Sequence, residues 1–148
     1  MLQNKEITLR KTIEIIVVII ATLWLYAAVS KLINFSQFRD AMKKQPFGQA
    51  LQNLLIYGLP PMEILTGVLL LTEKRKLTGL YISVILFTAF TIYILLIILK
   101  IWGHVPCSCG GLIEQMGWTL HFWFNLFFLT LTGVSIITII KRKEYRNT

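Results

Sequence analysis

Residues 77–99 read LTGLYISVILFTAFTIYILLIIL, with no Asp, Glu, Lys or Arg in the run. One membrane-crossing helix needs about 20 predominantly apolar residues. Working outward from this stretch, three more blocks qualify: Ile13 to Phe35, Leu54 to Thr72 and Trp118 to Ile140. The 148-residue chain is 55% hydrophobic, above the roughly 45–50% of soluble domains. The runs are continuous and lack the alternation of membrane barrel strands. The expected fold is therefore an all-α membrane protein: a four-transmembrane-helix bundle forming one domain over 1–148. Its helices fall at about 13–35, 54–72, 77–99 and 118–140, with loops at 36–53 and 101–117.

The net charge of +8 does not indicate nucleic acid, because the basic residues gather at the ends of the apolar blocks. Lys5, Arg10 and Lys11 precede the first block, Lys74, Arg75 and Lys76 separate the second from the third, and Lys141, Arg142, Lys143 and Arg146 follow the fourth. Fewer lie on the other side: Lys31, Arg39, Lys43, Lys44 and Lys100. The positive-inside rule then puts both termini in the cytoplasm and the loops 36–53 and 101–117 outside. The first block also has signal-peptide features, a basic start and the small run Ala27-Ala28-Val29-Ser30. Its apolar stretch is long for that role, and we read it as an uncleaved helix.

In the first outer loop, Phe38, Met42, Phe47, Leu51 and Leu54 recur at roughly helical spacing. Gln45-Pro46-Phe47-Gly48 interrupts them. That pattern predicts a helix-turn-helix lying at the membrane interface. Pro60-Pro61 should kink the second membrane helix or mark its true start.

The second outer loop carries both cysteines of the chain, in Cys107-Ser108-Cys109-Gly110-Gly111. A disulfide across one intervening residue closes too small a ring to gain much from loop-closure entropy, and its geometry is strained. Strained, exposed disulfides are the labile or catalytic ones. Gly110 and Gly111 offer unobstructed amides that would stabilise a thiolate. Redox use is one reading, a purely structural pair another. A third adds His104 and His121 to the two thiols as a copper or zinc site.

Trp118, His121, Asn125 and Phe128 share one face of the fourth helix. His121, one turn inside, could lower a cysteine pKa or carry a proton, with Asn125 fixing its tautomer. It could also simply pack beside Trp118. Lys31 and Glu63 are charges inside membrane helices, which are rare and usually paired. They make either a register-fixing ion pair or a charged floor beneath the cysteine loop. Glu14 reads as a snorkelling surface residue. The stripe Tyr81, Phe87, Phe90 and Tyr93 could line a quinone pocket or serve only as packing.

Taken in order, Ala28-Val29-Ser30-Lys31-Leu32, Phe35-x-x-Phe38, Leu59-Pro60-Pro61-x-Glu63-x-x-x-Gly67, the cysteine loop and Gly117-Trp118-x-x-His121-x-x-x-Asn125 span nearly the whole chain. With these residues the sequence resembles the methylamine-utilisation MauE branch of the DoxX-like membrane proteins. The resemblance implies thiol–disulfide chemistry outside the cytoplasm. It also implies a bacterial inner-membrane location, with the cysteine loop on the periplasmic side. Cys107 and Cys109 would exchange with a thioredoxin-like or secreted client, and His121 would tune the thiolate. Lys31, Glu63, Gly110, Gly111, Trp118 and Asn125 would support the site. A membrane quinone is the electron acceptor to consider, because disulfide-generating membrane proteins of other families are coupled to quinones. Those proteins use more than one cysteine pair, and this chain has one. Two other functions compete: a non-catalytic subunit stabilising a larger membrane or secretion complex, and a copper or zinc handler.

Overall fold

Hydropathy marks only the lipid-facing length of a helix, so helices commonly outrun it through Lys, Arg and Gln, which are good helix formers. The computed structural model, which describes residues 2–101 and 117–147, shows this at the start of the first and third helices and at the end of the last, whereas the fourth keeps the length of its apolar run. The helices are α1 (Leu2–Ile33), α2 (Phe35–Lys43), α3 (Gln49–Leu71), α4 (Lys76–Ile98) and α5 (Trp118–Asn147). Within them, Ile7–Ile33, Gln49–Leu71, Lys76–Ile98 and Trp118–Arg142 are long and apolar enough to cross a membrane. The protein is an all-helical, four-span membrane bundle among the described residues. Four crossings bring the start of α1 and the end of α5 to the same end.

α1 and α4 each pack against both α3 and α5. The four long helices thus form a ring in which α3 and α5 stand diagonally. Small residues set the closest approaches, as is usual between membrane helices. A Cβ on Gly67 would come within 2.7 Å of the Leu25 side chain and 3.3 Å of the Ala21 carbonyl. A Cβ on Gly79 would sit 2.8 Å from the Leu70 backbone nitrogen. Across the other diagonal, Trp24 of α1 reaches α4. Its ring lies 4.6 Å from Phe87, and its Nε1 donates to Ser83 Oγ at 3.0 Å.

The segment 36–53 departs from the expected interfacial helix pair. α2 lies where a first amphipathic helix belongs, with Phe38 and Met42 buried. The turn at 44–48 then ends it. The following helix is not a second interfacial piece; it is the beginning of α3, capped by Gly48. Because the turn resets the register, the expected stripe splits. Leu51 and Leu54 face outward, at 43% and 67% exposed, while Ile56 and Leu59 are buried. Pro60 and Pro61 lie inside α3, so neither marks its start.

α4 ends in a reciprocal pair of hydrogen bonds. The Ile101 amide donates to Leu96 O at 3.3 Å and the Lys100 amide to Ile97 O at 2.9 Å. This closure places its penultimate residue in the left-handed region. Lys100 occupies that position, with φ of 55°, where glycine is usual.

Candidate functional site

A charge taken into a membrane helix must find a partner there. Lys31, on the last turn of α1, and Glu63, in the second half of α3, find each other. Lys31 Nζ lies 2.8 Å from Glu63 Oε1, with the side chains 5% and 1% exposed. The ammonium also donates to Ala27 O at 3.3 Å and sits 5.9 Å from the centre of the Phe38 ring. α2 therefore covers the pair from above with an aromatic face. Glu14, by contrast, pairs with Arg10 on the surface at 2.8 Å.

The pair forms one wall of a cavity of about 280 Å³. Trp24, Ala27 and Lys31 contribute from α1, and Phe38 and Met42 from α2. Leu51, Leu55, Leu59 and Glu63 contribute from α3, Phe87, Ala89, Phe90 and Tyr93 from α4, and His121, Phe124 and Asn125 from α5. His121 and Asn125 are buried, as is Phe128 one turn beyond them. Trp118 stacks on the His121 ring at 6.5 Å and meets Tyr93 edge-on at 6.3 Å. Of the aromatic stripe on α4, Phe87, Phe90 and Tyr93 line the cavity, whereas Tyr81 is 49% exposed.

Among the described residues, three buried side-chain polar atoms have no hydrogen-bond partner: Glu63 Oε2, His121 Nδ1 and Asn125 Nδ2. All three residues line this cavity. A buried unpartnered polar group costs about 1–3 kcal/mol. Three residues with such atoms around one space leave a mostly apolar pocket with unsatisfied polar groups in its wall. Its position along the bundle is set by α5. The His121 amide donates to Gly117 O, so the imidazole lies one turn from where the chain enters α5.

The structure thus brings together four of the residues singled out above: Lys31, Glu63, His121 and Asn125. Trp118 adjoins them. Cys107, Cys109, His104, Gly110 and Gly111 lie outside the described residues. Among the described residues, no three His, Cys, Asp or Glu side chains cluster to hold a metal ion.

Among the cavity residues that the sequence did not mark are Gln45 and Trp24. Gln45 is 4% exposed. It accepts from the Tyr93 hydroxyl and donates to Ala41 O at 3.1 Å. It stands in the helix-breaking run Gln45-Pro46-Phe47-Gly48, which gives no signal for a buried side chain. Trp24 sits mid-block, away from the interfacial depth where tryptophan is common. That displacement was the available signal for a core role.

The sequence matches the family model described as methylamine utilisation protein MauE over residues 9–138. No curated protein and no solved structure matches it.

Proposed function

The chain belongs to the methylamine utilisation protein MauE family, and on that premise we propose that it is the membrane component of a thiol–disulfide oxidoreductase system. Cys107 and Cys109 are its working pair. A thiolate from one partner attacks a disulfide sulfur of the other, forming a mixed disulfide. The second cysteine resolves it, and two electrons and two protons pass between dithiol and disulfide. The client is a thioredoxin-like or secreted protein on the outer face of a bacterial inner membrane.

The observation that carries this reading is the convergence of Lys31, Glu63, His121 and Asn125 on one cavity lying a turn below Gly117. The chain leaves α4 at Ile101 and enters α5 after Gly117. Ile101 and Gly117, the described residues that flank the cysteine segment in sequence, both lie at the end of the bundle where His121 sits. A buried imidazole in that position suits proton transfer to and from a thiol. Buried, paired charges suit a site that must hold its geometry while protons move.

The test is the redox state of Cys107 and Cys109 in native membranes, followed by alkylation mass shift across a glutathione series. A reversible couple more oxidising than about −250 mV is expected, because structural disulfides typically lie below about −300 mV. A pair that resists reduction throughout sinks the proposal and favours an assembly subunit. Thiols that become reactive only after a chelator is added favour metal handling.

A further inference from the structure

We propose that the cavity binds a neutral, lipid-soluble ring with a hydroxyl at each end, the chemistry of a quinol, entering from the bilayer between α3 and α4. Its use as the electron partner of Cys107 and Cys109 rests on the reading above; the binding does not. In that use, the dithiol gives two electrons and two protons to a quinone, leaving a disulfide and the quinol.

The unpartnered atoms define the ligand. Glu63, His121 and Asn125 are 1%, 5% and 4% exposed; each carries an unpartnered polar atom, and all three residues line the same space. They come from diagonal helices, Glu63 from α3 and the other two from α5. One molecule must reach across to serve both sides. Lys31 already balances the charge of Glu63 at 2.8 Å, so the ligand carries no net charge. A carboxylate oxygen only accepts, whereas an amide nitrogen only donates. The ligand therefore donates at the Glu63 end and accepts at the Asn125 end. A hydroxyl does either. A quinone carbonyl only accepts, which leaves Glu63 Oε2 unserved. The reduced ring is accordingly the tighter ligand.

The walls define its shape and its route. Trp24, Phe87, Phe90 and Phe124 give faces and edges for a flat ring. The volume of about 280 Å³ lies at the small end of ligand pockets, which run from about 300 Å³ upward. Leu51 of α3 and Ala89 of α4 both line the cavity and are both exposed on the outer surface, so they mark its mouth. Ala89 lies nine residues before Ile98, the end of α4, or about 13 Å along the axis. Leu51 lies only two residues inside the start of α3, so the mouth runs from near the end of the bundle down to Ala89, and its deeper part opens into hydrocarbon, which admits a lipid-soluble molecule.

The experiment is isothermal titration calorimetry of the full chain in phosphatidylcholine nanodiscs with decylubiquinol and decylubiquinone, subtracting empty discs. One quinol per chain is expected, bound at least tenfold tighter than the quinone. Asn125→Leu and Ala89→Trp should each weaken quinol binding at least tenfold. Leu54→Trp, on the outward surface, should not change it. Glu63→Gln should erase the preference for the reduced form, but it breaks the ion pair, so the other two variants carry the test if it fails to fold. Absence of saturable binding overturns the proposal, as does binding that both Asn125→Leu and Ala89→Trp leave unchanged. Equal affinity for the two redox forms overturns the hydroxyl assignment. Saturable quinol binding by Cys107→Ser/Cys109→Ser, with no reversible couple in the parent, leaves this proposal standing and removes the redox reading. A reversible couple without quinol binding does the reverse.

Discussion

Replacing either member of the Lys31–Glu63 pair should cost far more than replacing both. At 2.8 Å, two unit charges attract by about 6 kcal/mol at an effective dielectric near 20. Much of that attraction offsets the desolvation of two charges that are 5% and 1% exposed. Removing one partner leaves the other charge buried and uncompensated, at about 3–5 kcal/mol. Replacing both with side chains of similar volume removes attraction and desolvation together, and such exchanges are often close to neutral. Lys31→Met also forfeits the ammonium's contact with the Phe38 ring, about 0.5–2 kcal/mol, so it should be the costlier single change. The assay is reversible unfolding of the detergent-solubilised protein by sodium dodecyl sulfate, read by circular dichroism. Lys31→Met and Glu63→Met should each lose about 3–5 kcal/mol, and the double variant no more than the milder single. Single costs that simply add to give the double would refute the reasoning, because independent sites are additive and coupled ones are not.

Gly79→Ala should destabilise by about 2 kcal/mol or more, because its Cβ meets the Leu70 backbone at 2.8 Å and backbone cannot turn aside. Gly67→Ala makes its close contact with the movable Leu25 side chain at 2.7 Å and meets backbone, the Ala21 carbonyl, only at 3.3 Å, so it should cost less; the same unfolding assay orders the two. Lys100→Gly should stabilise by up to about 1 kcal/mol, since it relieves a left-handed residue at the end of α4; a loss of stability there would contradict the cap. His121→Gln should slow thiol exchange about 100-fold or more if the imidazole moves protons, while leaving the fold intact by circular dichroism. An unchanged rate of client reduction or oxidation would remove His121 from the chemistry.

The membrane spans were legible because each is a long apolar run, and hydropathy needs no tertiary information. The Lys31–Glu63 contact was legible for a related reason: two charges in neighbouring membrane helices have few alternatives to each other. The face carrying His121 and Asn125 followed from the helical repeat. What escaped was decided by register and by space. Leu54 continued an amphipathic pattern on paper, but the turn at 44–48 restarts the helix and swings it outward. Gln45 looked like part of a breaker because its neighbour is proline, yet its place beneath Tyr93 depends on a residue far along the chain. The cavity itself has no sequence signal. It exists because the ring of helices leaves a gap between α3 and α5 that the side chains do not fill.

The Lys31–Glu63 bridge also bears on biogenesis. Helices enter the membrane in order of synthesis, and Lys31 arrives first, close enough to the C-terminal end of α1 for its long stem to reach the headgroups. Glu63 arrives deeper within α3, and its short side chain has no such escape. A charged group near the centre of an inserted helix costs about 2.5–3.5 kcal/mol on insertion scales. α1 therefore acts as the receptor for α3 during insertion, holding an ammonium ready for the carboxylate. The pair thus favours the entry of α1 and α3 as one hairpin, because Glu63 is then inserted with its counter-ion beside it.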